Sequence, residues 1–486
     1  MATSIRSALP SSCTLVIPGP EFNRQTLSRW SDILVQPPHA IVTPTNAADI
    51  IATIEYATRH KLRLIPAGGG RGSYVPITDN VIYLDLKNFD GFQLDEEKGE
   101  VQFGGGCISG PLLKGLAKRG YYTAAPNSNG VGMAGSLLGG LNHPLGGLHG
   151  MGIDMLRSIT VIPFSAPNGG QVKPITLSKE SKGEGQILFN AFRGAGHGLG
   201  VIISAMLEVH PLAHLNLDEG DKVWQRSLVF APSALPTAIE TYLSLQSSVP
   251  PEMNFFLGFM RAPPTAPLPG APVILLSISF FGPSSAAEKA TAITFSPDIV
   301  TQIINTTTTL TPFTNLHDAL DPINRSGGYK ELHGAMVHSI SASSIEHAFA
   351  SFLSFTNENP SRFGSSILFP ASSTNKNEAL AAKSPSTVRD FYNLRDRGIY
   401  VQVKTSYADE NEKTTADLFA KEVHEVAREE DRKAGRKDRA FANNWVEGME
   451  PLDMYTDEQI ADIARVKKCW DGASVGWAPA VDSWKR

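Results

Sequence analysis

The segment Pro66-Ala67-Gly68-Gly69-Gly70-Arg71-Gly72-Ser73 concentrates four glycines in eight residues. Glycine accepts torsions that turn successive backbone N–H groups toward one point, and it allows close approach, so such a run can cradle a diphosphate. Taken alone, it also fits an ordinary turn. No Lys-Ser/Thr pair follows at Walker spacing, and the order strand, loop, strand differs from the strand-to-helix turn of a dinucleotide fingerprint. Arg71 could add charge-assisted bonds to a diphosphate or face solvent; Ser73 could bind a phosphate oxygen or close its own turn.

A second set lies in Gly328-Tyr329-Lys330-Glu331-Leu332-His333-Gly334-Ala335-Met336-Val337-His338. Read as a strand, period two puts Tyr329, Glu331 and His333 on one face and Lys330 and His338 on the other. Lining a pocket, the first three could take or give a proton, and they are the catalytic candidates; the same pattern also describes the polar side of a half-buried strand. Tyr400 and Tyr407 are alternative acids or bases, or packing aromatics. His143 and His149 lie in a glycine-rich stretch and read as hydrogen-bonding loop residues that could also approach a ligand. No His and carboxylate pair stands at metal-ligand spacing and no Gly-x-Ser-x-Gly elbow occurs, so no metal and no acyl transfer are expected.

These residues need elements to hold them. After extended Ala40 to Pro44, Asn46 can cap a helix in which Ala47, Ile50, Ile51, Ile54 and Ala57 recur at helical spacing. Leu62 to Ile65 and Val81 to Leu86 read as strands flanking the glycine loop. Val101 and Phe103 alternate as a strand broken by Gly104-Gly105-Gly106, and Leu112, Leu113 and Leu116 mark a helix ending near Gly120. From Pro126 to Gly152 glycine and small apolar residues dominate, as where backbone passes a ligand or forms a flexible loop. Further strands are expected at Ile159–Ile162, Val201–Leu207, Val273–Ile278 and Tyr400–Val403, with a helix over 415–428 and a proline-rich connection at 262–272. The run Arg428 to Lys433 reads as the solvated end of a helix.

The chain has 486 residues, more than one core usually supports. Hydrophobic residues at 42% and charged residues at 19% describe a globular protein. A net charge of −5 gives no reason to expect a nucleic-acid or membrane partner, which leaves a small molecule. Cys13, Cys107 and Cys469 are too scattered for a disulfide framework. Without a secretory signal or a spanning apolar run, the expected location is cytoplasmic.

Several ordered segments together resemble the vanillyl-alcohol-oxidase and p-cresol-methylhydroxylase superfamily of FAD proteins, and within it the berberine-bridge-enzyme-like oxidoreductases of fungal secondary metabolism. They are Pro38 to Thr45, Leu62 to Ser73 and Val81 to Leu86, then Val131-Gly132-Met133-Ala134-Gly135, Leu138-Gly139-Gly140, Gly150 and Asp154. Leu188 to Gly196, Leu199-Gly200-Val201-Ile202, Asn444-Trp445, Pro451, Tyr455 and Val466 to Asp471 continue the likeness over nearly the whole chain.

The resemblance implies an α+β fold: a two-subdomain FAD-binding domain of the p-cresol-methylhydroxylase type, then an α+β substrate domain built on an antiparallel sheet covered by helices. The corresponding spans are 1–212 for the FAD domain (about 36–212 for its typical part), 213–435 for the substrate domain, and 436–486 for a C-terminal segment returning to the FAD domain. It also implies FAD contacts at Gly68, Gly69, Gly70, Arg71, Gly72, Ser73, Pro126, Asn127, Ser128, Val131, Gly132, Gly135, Gly200, Val201, Ile202 and Asn444. Many relatives carry a flavin-bonded histidine where Gly70 stands, and bicovalent ones a cysteine where Ser128 stands, so the FAD is expected to be noncovalent. The implied activity is oxidation of a small, largely apolar organic substrate, with oxygen or another electron acceptor as partner. A nonredox cyclase reusing the same pocket by orientation is the alternative.

Overall fold

The computed structural model describes residues 4–383 and 390–482. Strands β1 (Thr14–Val16), β2 (Ala40–Thr43), β3 (Arg63–Ala67) and β4 (Val81–Asp85) form a sheet of order β1-β2-β4-β3, in which β2, β4 and β3 run parallel. Parallel strands need long connections: the helix Ala47–His60 carries the chain from β2 to β3, and the segment holding the glycine loop carries it from β3 to its neighbour β4. Asn46 caps that helix by accepting from Asp49 N at 3.1 Å, a contact of about 1 kcal/mol. Asp49 in turn accepts from Thr45 N and the Ser12 hydroxyl. The helix buries Ile50, Ile54 and Ala57 against Val42, Ile82 and Leu84.

Strands β5 (Phe92–Asp95), β6 (Glu100–Gly104), β7 (Tyr121–Tyr122), β8 (Leu156–Ile162), β9 (Ile175–Ser178), β10 (Val201–Glu208) and β11 (His210–Pro211) follow. Five of them form an antiparallel sheet of order β5-β6-β10-β8-β9, and β7 pairs with β11. The glycine-rich stretch from Pro126 to Gly152 is not a featureless loop: it contains the short helices Met133–Leu137 and Gly146–His149, and Met133, Leu137 and Leu141 are buried.

Strands β12 (Lys222–Phe230), β13 (Met253–Arg261), β14 (Pro272–Phe280), β15 (Ile303–Pro312), β16 (Tyr329–Val337), β17 (Ser366–Ser372) and β18 (Ile399–Tyr407) make one antiparallel sheet of order β15-β12-β14-β13-β17-β18-β16. The helices Leu235–Gln246, Ala342–Glu358 and Lys413–Ala427 bury their apolar faces with one side of it. The other side joins the second core, where Met336 and Tyr400 pack with Leu137, Leu141 and Ala442. The proline-rich 262–272 segment connects β13 to β14, as expected for an exposed turn.

The chain therefore combines helices with mixed and antiparallel sheets, an α+β fold. Beyond residue 436 it returns to the earlier sheets: Phe441 N donates to Gly334 O at 3.1 Å, and Leu64 N donates to Val475 O at 2.9 Å. The reading of 428–433 as a solvated end holds for Glu429, Arg432 and Lys433, which are exposed, and needs correction at Asp431. Glu429–Lys433 is a short separate helix whose Asp431 is 2% exposed and accepts from His338 N at 3.0 Å, because the end of β16 lies directly beneath it. Among the described residues no helix is long and apolar enough to cross a membrane.

Candidate functional site

The glycine loop leaves β3 and passes between two other backbones. A side chain at Gly69 would place its Cβ 2.9 Å from both Gly130 O and Gly132 Cα, and one at Gly70 would place it 2.5 Å from Ser28 O. Gly70 also has φ +63°, and its carbonyl accepts from Trp30 N at 2.9 Å. Glycine is therefore required twice, for space and for torsion. No N–H from Gly68 to Ser73 has an acceptor among the described residues. Six consecutive donors without a protein acceptor, held by rigid backbone packing, are a cradle suited to an anionic group.

The charge around the loop agrees. Arg71 is half-buried, its Nη2 lies 3.4 Å from Ser128 Oγ, and its guanidinium sits 5.4 Å from the centre of the Trp30 ring. Lys330, reaching from β16, sits 4.8 Å from the same ring centre. Burial lowers Arg71 to about 10, and burial with Lys404 and Arg71 lowers Lys330 to about 8. Lys404 on β18 is shifted down by burial and by Arg71, and its ammonium has no hydrogen bond or ion pair among the described residues. Beneath the loop Arg29 is 4% exposed; its Nη1 and Nη2 donate to Val75 O at 3.1 Å, while its buried Nε has no acceptor. Cations left short of carboxylates beside a free-amide cradle favour an anionic occupant.

Register decides which side chains of the large sheet join this region. Tyr329 pairs with Tyr407, Glu331 with Thr405 and His333 with Val403, whereas Lys330 pairs with Ser406, Leu332 with Lys404, Gly334 with Gln402 and Met336 with Tyr400. Paired residues share a face. The face of Lys330, Leu332, Gly334, Gln402 and Lys404 is the one near Arg71 of the glycine loop, which acts on the charges of both Lys330 and Lys404 and shares the Trp30 ring with Lys330. The face of Tyr329, Glu331 and His333 meets the helix Lys413–Ala427 instead: Glu331 lies 3.4 Å from Lys413 Nζ, His333 3.9 Å from Asp417. Tyr329 stacks on Tyr407 with centres 5.9 Å apart and accepts from Arg24 at 2.8 Å. Period two separated the two faces as expected, but placed the catalytic candidates on the one turned away from the loop.

The other expected contacts divide. Ser128 is buried beside Arg71, Pro126 is buried, Asn127 is exposed and Val131 half-buried. Gly132 packs on Gly69, and Gly135 has open space where a Cβ would stand. Asn444 is 8% exposed, adjoins Gly334 and accepts from the Tyr400 hydroxyl at 2.6 Å. Gly200 has φ +155°, while the Val201 and Ile202 side chains fill cores and reach the loop only through successive backbone contacts, Ile202 on Gly105 and Gly105 on Gly68. His143 is bonded to Gly150 O at 2.9 Å, and His149 to the Tyr122 hydroxyl at 2.9 Å. Arg29, Trp30 and Lys404 lie in no motif; a tryptophan flanked by Arg29 was the only local signal.

The family described as FAD binding domain matches residues 38–168, which contain the glycine loop and the 126–135 stretch. Among curated proteins, the chain is 26% identical over 353 residues to FAD-linked oxidoreductase hasG of Aspergillus fumigatus, covering 72% of this chain and 71% of that protein. It is 25% identical to FAD-linked oxidoreductase srdI of Neurospora crassa over 98% of this chain and 91% of that one. Among solved structures, BBE-like 1 of Physcomitrella patens superposes with a TM-score of 0.76 at 16% identity, covering 99% of this chain and all of that one (100%). At that identity the structural match speaks for the fold. Residues 38–168 are thus an FAD-binding domain within a berberine-bridge-like fold.

Proposed function

We propose that this chain, an FAD-linked oxidoreductase of the p-cresol-methylhydroxylase type and berberine-bridge-like group, oxidises a small, largely apolar organic molecule between its glycine loop and the facing side of its large sheet. The observation that carries the reading is the convergence of Arg71 and Lys330 on Trp30, one from each side of that interface. FAD, when bound, supplies an acceptor for hydride. The N–H groups of Gly68 to Ser73 would hold its diphosphate, with Arg71 and Arg29 contributing charge. Gly70 has no side chain and Ser128 no thiol, so retention rests on these noncovalent contacts. Residues 1–212 then serve the cofactor, 213–435 the substrate, and 436–486 bring Asn444 back to the interface.

Loss of hydride from an alcohol or amine carbon leaves a proton to be taken up. Lys330 Nζ is the proposed acceptor, since burial and the neighbouring cations lower it to about 8 and so ease its deprotonation. Tyr400 holds the Asn444 side chain in place through its hydroxyl, leaving the amide free to orient substrate. The similarity to fungal FAD-linked oxidoreductases supports the redox reading; a role in secondary metabolism rests on the resemblance of the ordered segments to the berberine-bridge-like group, with oxygen or another acceptor completing turnover. An absorbance spectrum of the purified protein tests this directly. Flavin bands, flavin released by acid precipitation, and bleaching by substrate under anaerobic conditions are expected. Turnover without bleaching would mean a nonredox reaction in the same pocket and would overturn the proposal.

A further inference from the structure

Turned away from the glycine loop, Glu331 and His333 meet Asp417 of the covering helix, and one ligand atom from each lies within 4.8 Å of the others. Glu331 is 1% exposed and His333 4% exposed. His333 Nε2 and Asp417 Oδ1 are buried and make no hydrogen bond among the described residues, and buried Glu331 Oε2 has only the long approach of the Lys413 ammonium. The neighbouring Thr405 and Tyr407 hydroxyls and His424 Nε2 are orphaned in the same way. One buried polar atom without a partner costs about 1–3 kcal/mol, so a group of them around a common point calls for an occupant. Lys413 occupies one edge, 2.6 Å from Asp417 Oδ2 and 3.4 Å from Glu331 Oε2, and leaves Asp417 Oδ1 and His333 Nε2 facing each other at 3.9 Å.

The geometry points to a zinc site formed by His333 Nε2, Glu331 Oε2 and Asp417 Oδ1, with water as fourth ligand, which pins the helix Lys413–Ala427 to β16. One nitrogen and two carboxylate oxygens form a donor set that Zn2+ accepts at about 2.0–2.2 Å from each. Two such bonds meeting at the tetrahedral angle hold their donors about 3.4 Å apart, so side-chain rotations must shorten the 3.9 Å between His333 and Asp417, and separations of up to 4.8 Å within the trio, to close the site. The Asp417 side chain is 36% exposed and provides the route in. As zinc enters, Lys413 gives up Glu331 and keeps Asp417 Oδ2. On the strand the signature is Glu-x-His, two residues apart on one face; its third member lies 84 positions later on a helix (417 minus 333), beyond any spacing rule.

The test uses the full-length flavoprotein, stripped with chelator, equilibrated with Zn2+ and passed through gel filtration, with metal measured by mass spectrometry and flavin by absorbance. The wild type should retain about one zinc per chain, as a three-ligand site predicts. His333→Ala and Glu331→Gln should each lower zinc affinity at least about 100-fold, with unchanged flavin content, because their face is turned from the glycine loop. Asp417→Asn, at a half-exposed position, should show the same loss and covers the case in which a buried variant fails to fold. Lys413→Met should retain zinc as well as or better than the wild type. A wild type that retains no zinc, an Asp417→Asn variant that binds it unchanged, or a Lys413→Met variant that loses it would overturn the site.

Discussion

Replacing Gly69 with valine tests the cradle where backbone packing leaves least room. Its Cβ would stand 2.9 Å from Gly130 O and from Gly132 Cα, and closer still to Gly132 N. All three are backbone atoms, so no side chain can swing aside; the two loops must separate by about 1 Å to restore van der Waals contact. That shift moves the free N–H groups of Gly68 to Ser73 from the positions in which they would meet a diphosphate. Losing two charge-assisted hydrogen bonds at about 1.5 kcal/mol each amounts to about 3 kcal/mol, or roughly 150-fold in FAD affinity. The assay is fluorescence titration of the apoprotein with FAD, with circular dichroism and thermal unfolding to establish that the variant is folded. Gly91→Ala is the matched control, since its Cβ would meet nothing within 4 Å. A folded Gly69→Val protein with wild-type FAD affinity would refute the placement of the loop.

Other consequences follow from named groups. Because Lys330 falls from 10.5 to about 8 in the folded protein, the unfolded chain binds the extra proton between those values. Stability should therefore rise with pH across that window; the contribution should vanish in Lys330→Met, as read by urea unfolding at several pH values. If Lys330 takes the substrate proton, kcat/KM should also climb through an ionisation near 8 in the wild type and lose that step in the variant. Arg395 bonds both oxygens of Asp154 at 2.7 and 2.8 Å and reaches Asp390 at 2.7 Å, joining the FAD-binding half to the large-sheet half. Arg395→Met should cost up to about 3 kcal/mol in denaturant unfolding, because it leaves Asp154 and buried Asp390 with Arg193 alone as ion-pair partner among the described residues, 4.0 and 3.4 Å away. Tyr400→Phe removes the 2.6 Å bond to Asn444 and should raise KM while leaving FAD affinity unchanged.

The sequence by itself determined what depends on near neighbours. Asn46 and the spacing of Ile50, Ile54 and Ala57 specify a capped, one-sided helix because a cap and a helical face are set within a few residues. The glycine run is legible for the same reason: an amide nest needs only successive torsions. Alternation along 329–337 likewise separated two faces of one strand. Only the tertiary structure decided what each face meets. Period two is symmetric, and the choice between the glycine loop and the helix Lys413–Ala427 rests on pairing with β18, some 70 residues away (register 329 with 407, 337 with 399). Arg29 and Trp30 beneath the loop, Asp431 on the buried side of its short helix, and Asp417 opposite His333 have the same origin. Their roles arise from burial and charge imposed by distant segments, which no local pattern encodes.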